Sequence, residues 1–385
     1  MAAPRAYLDW NASAPLCEAA RAAAVAALDI AANPSSVHSE GRRARQLIEI
    51  ARRQVASLVK GSAEHVVFTS GATEAASLLL TPDWRMGRSP LRLAHLYVCA
   101  ADHTCLLNGG RFAQQDISRI GVDANGLMDL AGLTAALAGH DRAAGLPLVA
   151  VHAVNNETGV IQPLAEIASI VRAAGGVLVL DAVQAAGRIP LDMTAGVADY
   201  LILSSHKIGG PKGAGTVVGA AGLMMPMPLI TGGGQERGFR AGTENLAAIA
   251  GFGAAAVQAA KAVDGLEMVR ALRDRVERLV LECCPEATIF GAAAPRVANT
   301  TFFALPGIKA ETAQIAFDLA GVALSAGSAC SSGKIGPSHV LQAMGFGDGA
   351  GALRVSIGAA TTDADIARFD VALTELLARR QTRAA

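Results

Sequence analysis

Short apolar runs that alternate with helix-like segments constrain the fold of this chain more than any other feature. The runs HVVFTS (65–70), GVLVLDAV (176–183) and DYLILSS (199–205) have the length and composition of buried strands. Between such runs lie segments with helical apolar spacing, such as PLAEIASIVRAAG (163–175). Strands joined by helical crossovers form parallel sheets that helices cover on both faces. We therefore expect an α/β fold with a mostly parallel sheet.

The pattern changes after about residue 260, where a long amphipathic helix (265–282) precedes a strand (297–306) and another helix (309–321). A length of 385 residues is also more than one average domain needs. We predict a large domain over 15–260. A smaller α+β domain is expected to combine 1–14 with 261–385 and to include a cysteine segment at about 323–336.

The overall charge argues against two classes of partner. Lys plus Arg and Asp plus Glu both total 33, so the formal net charge is zero and nothing favours nucleic acid or anionic membranes. The first residues lack the apolar core of a signal peptide. The six cysteines show neither disulfide-like nor metal-like spacing, so no metal site is predicted. We expect a cytoplasmic enzyme.

Polar residues that follow the apolar runs are candidates for chemistry, since ligands bind at the carboxyl ends of parallel strands. Gly71, Ala72 and Thr73 precede a predicted helix and suit a phosphate group, although such residues also cap helices for structural reasons. Asp181 ends one strand and could instead cap the next helix. Lys207 follows another and could be a surface residue of a glycine-rich loop.

Taken together, these three features indicate pyridoxal phosphate. Asp181 and Lys207 lie 26 positions apart, a spacing that fits neighbouring strands around one ligand. A desolvated lysine can form an imine, and a carboxylate keeps the ring nitrogen of this cofactor protonated. The sequence therefore predicts a pyridoxal phosphate site.

Cys330 stands in an unusual setting, the run ALSAGSACSSGKIG (323–336). Its serine and glycine neighbours cannot build an apolar core around a structural thiol. The composition suggests a segment that moves.

Eight ordered motifs give the chain a family resemblance. It resembles the cysteine desulfurases of the nitrogen-fixation and iron–sulfur-cluster type, which are class V aminotransferases with the fold-type I architecture of pyridoxal phosphate enzymes. The motifs are YLDWNASAP (7–15), NPSSVHSEG (33–41), FTSGATEA (68–75), NNETGVIQP (155–163), LDAVQAAGRIPLD (180–192), SSHKIGGPKGAG (204–215), GGGQERGFRAGTEN (232–245) and SAGSACSSG (325–333).

The resemblance implies a role for each cofactor-binding residue. Lys207 would hold the cofactor as an imine, Asp181 would pair with the ring nitrogen, and His103 would lie over the ring and move protons. The phenolic oxygen would be bound by Asn156 and Gln184, and the phosphate by Ala72, Thr73, Ser204 and His206. Thr243 would reach the phosphate of the other subunit, which implies a homodimer.

The resemblance also implies the reaction. Arg354, with Asn33 nearby, would bind the substrate carboxylate, and Cys330 would take the sulfur of L-cysteine as a persulfide while alanine leaves. A cluster-scaffold or other sulfur-acceptor protein would then receive the sulfur. Two alternatives stay open, namely another class V enzyme such as a selenocysteine lyase or an aminotransferase, and a catalytically silent sulfur-relay scaffold.

The chain departs from the usual pattern of this family at a few positions. Ser13 and Ala14 stand where two threonines are typical, and Trp10 stands where a smaller polar residue or tyrosine is common. Ala359 and Ala360 replace an Arg or Asn that often precedes the threonine pair. These changes concern the substrate pocket more than the cofactor chemistry. His38 and His152 are interpreted as structural histidines.

Overall fold

The computed structural model describes residues 5–327, 338–347 and 352–384, with side chains as far as residue 379. These residues form helices on both sides of one large sheet and a second group of helices on a smaller sheet. The helices are α1 Glu18–Leu28, α2 Ser39–Leu58, α3 Ala72–Leu79, α4 Thr104–Leu107, α5 Leu130–Ala138, α6 Leu164–Ala173, α7 Leu246–Ala262, α8 Leu266–Cys283, α9 Ala310–Leu319, α10 His339–Ala343 and α11 Asp363–Ala384.

The strands are short, apart from one of 11 residues. They are β1 Ala6–Tyr7, β2 Val66–Thr69, β3 Asp83–Met86, β4 Ser89–Cys99, β5 Ile117–Ile120, β6 Leu146–His152, β7 Val177–Asp181, β8 Tyr200–Ser204, β9 Gly215–Gly219, β10 Met224–Pro226, β11 Thr288–Ile289, β12 Thr300–Ala304, β13 Val322–Ala323, β14 Ser325–Ala326 and β15 Ala352–Ser356.

The main sheet has nine strands in the order β10-β3-β4-β6-β7-β8-β9-β2, with β5 also paired to β4. Its centre, from β5 through β4, β6 and β7 to β8, is parallel. β9 and β2 on one side and β3 and β10 on the other are antiparallel. β7 and β8 are buried along their whole length, as in a sheet with both faces covered. The predicted α/β fold is confirmed, and its parallel part is the central one.

The minor sheet is antiparallel, with the order β11-β12-β15-β14. It shares a separate apolar core with α8, α9 and α11, in which Phe317 and Phe369 stack at 5.3 Å between ring centroids. The beginning of the chain joins this region, because β1 pairs in parallel with β13 and Asp9 bridges to Ser356. The division of the chain into two domains remains a prediction.

Helix α7 is an apolar helix that the sequence analysis missed. It packs against α1 and α2, and glycines permit the close contact. A Cβ atom on Gly253 would stand 2.6 Å from Cα of Ala51 in α2. The stretch Leu246–Cys283 is long and apolar enough to cross a membrane, but half of its most apolar window is buried inside the protein. We therefore interpret α7 as a core helix.

Candidate active site

The carboxyl ends of β4, β6, β7 and β8 open onto one cavity of about 590 Å³. This is the position that a parallel sheet gives to its ligands. All the predicted cofactor-binding residues line it, with the exception of Thr243. They are Ala72, Thr73, His103, Asn156, Asp181, Gln184, Ser204, His206 and Lys207. Residues from separate motifs thus meet around a single space.

Lys207 enters the cavity from a single 3₁₀ turn, Ser205–Lys207, that directly follows β8. Its Nζ donates hydrogen bonds to the backbone oxygens of Asn11, at 2.6 Å, and Ala12, at 2.9 Å. The N-terminal segment therefore supplies two carbonyl oxygens that hold the amine at the cavity wall.

Asp181 is the last residue of β7 and is almost fully buried. Burial raises the pKa of its carboxyl group, while the N–H of Val183, which donates to Oδ1 at 3.0 Å, opposes that rise. Sγ of Cys105 lies 3.9 Å from Oδ2. A buried carboxylate with few donors is a suitable partner for a protonated ring nitrogen.

The start of α3, which also lines the cavity, is suited to an anion. Helix α3 begins after Gly71 without a side-chain cap, so its first N–H groups are available to a ligand. Lys212, Ser204 and His206 line the same cavity. Burial, together with the charges of Lys207 and Lys212, lowers the pKa of His206 to about 4. His206 is therefore a neutral imidazole at pH 7.

Arg354 lies in β15, is almost completely buried and does not line the cavity itself, but it contacts Asn156, which does. Its Nη1 donates to the backbone oxygen of Asn156 at 3.1 Å, and its Nη2 donates to Oδ1 of Asp9 at 2.7 Å and to Oγ of Ser325 at 3.0 Å. Its Nε has no hydrogen-bond partner among the described residues. The guanidinium thus keeps one buried donor that no described residue uses.

Besides Arg354, two predicted site residues that the structure describes do not line the cavity. Asn33 is exposed, and its Oδ1 accepts from the N–H of Ser35 at 2.8 Å in a turn, so it does not line the cavity. Thr243 is also exposed, on the segment 232–245. Cys330 lies outside the described residues.

The segment 232–245 is tied to the main sheet by buried charges. Glu236 binds both terminal nitrogens of Arg52, at 2.7 and 2.8 Å, and also accepts from the N–H of Phe68 at 2.8 Å. Nε of Arg240 donates to Glu74 at 3.0 Å, and Glu74 accepts from the N–H of Ser70. Glu74 lines the cavity, so the segment that carries Thr243 is connected to the start of α3.

Sequence reasoning did not assign His152 to the site, although it stands at the end of β6, in register with Asp181. Its Nδ1 bonds to Asp102 at 2.6 Å, and its Nε2 accepts from Nε2 of Gln162 at 2.9 Å. The structural interpretation of His152 is thus incomplete, because the ring is both a buried bridge and part of the cavity wall. With Cys99, the same His and Asp form a buried group close enough together to hold a metal.

The other histidine interpreted as structural, His38, caps α2. Its Nδ1 accepts from the N–H of Gly41 at 3.3 Å.

Lys212 and Cys105 are two further cavity residues that were not predicted. The signal for Lys212 was its place five residues after Lys207 in a glycine-rich run. Burial raises the pKa of the Cys105 thiol well above its usual range, and the charge of Asp181 adds to the rise. Cys105 therefore stays protonated at neutral pH and is a poor nucleophile.

Most of the positions that depart from the family pattern lie around a second cavity. It has a volume of about 550 Å³ and is lined by Trp10, Ala14, Ala359 and Ala360 among others. Lys207 lines both cavities. The departures therefore cluster beside the lysine.

The residues present fit pyridoxal phosphate. The cavity lining offers an uncapped helix start, hydroxyl groups and a lysine for a phosphate. It also offers a buried carboxylate for a ring nitrogen, and Lys207 as the amine. This set of donors matches the functional groups of the cofactor.

The class V aminotransferase family model matches residues 6–369. The chain belongs to this family. Its curated relatives include the cysteine desulfurase of Trichormus azollae, 35% identical over 97% of this chain and 93% of that protein. The cysteine desulfurase of Cereibacter sphaeroides is 37% identical over 95% and 94%. These matches confirm the predicted resemblance, and the family depends on pyridoxal phosphate.

Solved structures agree. A NifS-like protein from Rickettsia africae has a TM-score of 0.86 and 31% identity, covering 97% of this chain and 99% of that one. A protein described as SspA in complex with cysteine has a TM-score of 0.74 and 26% identity, covering 91% and 98%. The fold-type I architecture is thereby confirmed.

Proposed function

We propose that this chain is a cysteine desulfurase that binds pyridoxal phosphate at Lys207 and transfers the sulfur of L-cysteine to Cys330. The observation that carries the proposal is the meeting of Lys207, Asp181 and the start of α3 around one cavity. The names of the curated relatives support the same reaction.

Bound pyridoxal phosphate supplies a ring that accepts electrons from the Cα of an amino acid. Asp181, when ionised, would hold the proton on the ring nitrogen. When Lys207 is not bonded to the cofactor, the carbonyl oxygens of Asn11 and Ala12 stabilise its ammonium form. His103 lines the cavity as the N-cap of α4 and is placed to accept and return a proton.

Arg354 would orient the substrate. Its buried Nε, which no described residue uses, would donate to the carboxylate of cysteine, while Asp9 and Asn156 fix the rest of the guanidinium. A charged donor in a buried position binds a carboxylate strongly. The substrate would then be held between Arg354 and Lys207.

Cys330 would be the sulfur acceptor on the enzyme. Cysteine and the Cys330 thiol give alanine and a Cys330 persulfide, since the Cβ–S bond breaks, an S–S bond forms and the departing proton ends on the alanine methyl group. Only a thiolate is a competent nucleophile. Cys105 also lies in the cavity, but its raised pKa keeps it protonated.

We also propose a homodimer and a sulfur-acceptor protein of the cluster-assembly type. Thr243 supports the dimer, because it lies outside its own cavity, on an exposed segment anchored by Arg52 and Glu236. The cytoplasmic location stays a prediction.

Mass spectrometry of the enzyme after incubation with L-cysteine tests the function. We expect alanine to form and one extra sulfur atom to map to Cys330. Cys330→Ala should keep the visible absorbance of the bound cofactor but release no sulfide. Cys105→Ser, a matched control inside the cavity, should retain near-normal turnover. A persulfide on Cys105 or Cys17, or full activity of Cys330→Ala, would refute the proposal.

A further inference from the structure

The side-chain amide of Gln184 is held in one orientation by two neighbours. Its Nε2 donates to the backbone oxygen of Asn11 at 3.0 Å, and its Oε1 accepts from Nη1 of Arg188. A carbonyl oxygen only accepts and a guanidinium only donates, so turning the amide over would lose both bonds. The amide nitrogen, with one further hydrogen, is therefore the donor that Gln184 can offer to the cavity.

Arg188 donates two hydrogen bonds to Gln184. The same Nη1 also donates to the backbone oxygen of Gln184 at 2.9 Å, and Arg188 is about nine-tenths buried. No carboxylate of the described residues lies within ion-pair distance of Arg188, in contrast to the buried Arg52, Arg273 and Arg354. The positive charge thus reaches the Gln184 amide without a neutralising acid between them.

The guanidinium remains charged under working conditions. Burial and the charge of Arg354 lower the pKa of Arg188 to about 10, which is still well above neutral pH. A charged donor on an amide oxygen also strengthens the amide as a hydrogen-bond donor at its nitrogen, because hydrogen bonds in a chain polarise one another.

We propose that Arg188 is a positioning residue that fixes the Gln184 amide and, through it, favours the anionic form of the phenolic oxygen of pyridoxal phosphate. The inference rests on the proposed function, which brings that oxygen to Gln184. A nearby positive charge makes any added proton on the cofactor less stable. Arg188 would accordingly lower the pH at which the bound cofactor changes its protonation.

A pH titration of the visible absorbance of the holoenzyme, without substrate, tests this proposal. Arg188→Gln removes the charge and is expected to raise the midpoint of the spectral change by about one pH unit, a tenfold change in proton affinity. Arg188→Lys retains the charge and should stay close to the midpoint of the unaltered enzyme.

Arg273→Gln is the matched control. Arg273 is also a buried arginine that donates to a backbone oxygen, that of Val297 at 3.1 Å, but it lines neither cavity. Its loss should leave the midpoint unchanged. In a Gln184→Ala background, Arg188→Gln should have a much smaller effect, since the route through the amide is gone.

The possible results separate the two proposals. A holoenzyme without any visible band would overturn the cofactor assignment itself. A normal band whose midpoint is the same in Arg188→Gln would overturn only the role of Arg188, as would an equal shift in Arg188→Lys or Arg273→Gln. If Arg188→Gln does not fold, Arg188→Lys decides the matter, because a shift of a full pH unit there contradicts a role that depends on charge.

Discussion

The two walls of the cofactor cavity are built from different parts of the chain. On the main-sheet side, Asp181 and Gln184 lie at the end of β7 and Lys207 follows β8, all within 27 residues of sequence. On the minor-sheet side, Arg354 contacts Asn156 of the cavity lining and is held by Asp9, which lies 345 positions away. One wall is assembled locally, whereas the other requires the two ends of the chain to meet.

Asn11 joins the two walls. Its Nδ2 donates to the backbone oxygen of Asn156 at 3.2 Å and to Oγ1 of Thr300 at 2.9 Å, while its own carbonyl oxygen receives Lys207. The N-terminal segment therefore connects the Lys207 amine to the side of the site that contains Arg354. We therefore expect changes on the main-sheet wall to alter the bound cofactor, and changes on the minor-sheet wall to alter substrate binding.

The largest effect is expected on the main-sheet wall, from Asp181→Asn. We expect kcat/KM to fall by about a hundredfold or more, because the ring nitrogen loses the carboxylate that keeps it protonated. The visible band should change in the same variant. A fully active Asp181→Asn enzyme with a normal spectrum would contradict a role of this wall in cofactor binding.

The same substitution should stabilise the protein without cofactor. The folded-state pKa of Asp181 is raised by burial, so its contribution to stability is present at low pH and is lost as the pH rises from its ordinary value of 3.8 through the raised value. Asparagine removes that loss. The melting temperature should therefore fall less between pH 4 and pH 7 in the variant than in the unaltered protein. An equal fall in both proteins would contradict a raised pKa of Asp181.

Changes at the minor-sheet wall should act on substrate binding. A hydrogen bond to a charged group contributes about 1.5–3 kcal/mol, so Arg354→Gln should raise KM for cysteine about tenfold to a hundredfold. Asp9→Asn leaves the guanidinium in place and should have a smaller effect in the same direction. Initial rates give KM, and the cofactor spectrum should stay normal in both variants. A normal KM with an altered spectrum would reverse the proposed division between the walls.

The smallest effect is expected from His152→Gln. Both ring nitrogens of His152 are already used by Asp102 and Gln162, and Asp102 keeps the N–H groups of His152 and Cys99 as donors. The loss of one hydrogen bond should lower the free energy of unfolding by about 1 kcal/mol. Steady-state kinetics should show kcat/KM within about threefold of normal. A hundredfold loss would place His152 in the chemistry.

Local patterns predicted one wall well, for a physical reason. Side chains at the carboxyl ends of parallel strands lie at the same edge of the sheet whatever the conformation of the loops. Asp181 and Lys207 could therefore be assigned to one site from the strand-like runs alone. Arg354 and Cys330 needed the family resemblance, because no local pattern encodes the pairing of β1 with β13 or the contact of Asp9 with β15.

Helix α7 and the position of His152 depend on tertiary packing, which local sequence patterns do not show. Helix α7 contains two glycines, Gly251 and Gly253, which are unfavourable in helices, yet both lie where a Cβ atom would collide with Pro211 or Ala51. His152 was set aside because a lone histidine in an apolar run gives no sign of what its ring will face.

Identification of the lysine that binds the cofactor tests the central claim most directly, because both Lys207 and Lys212 line the cavity. Borohydride reduction of the holoenzyme makes the linkage permanent, and peptide mapping locates the added pyridoxyl mass. We expect this mass on Lys207 and an unmodified Lys212. A pyridoxyl group on Lys212, or on any lysine outside the cavity, would contradict this expectation.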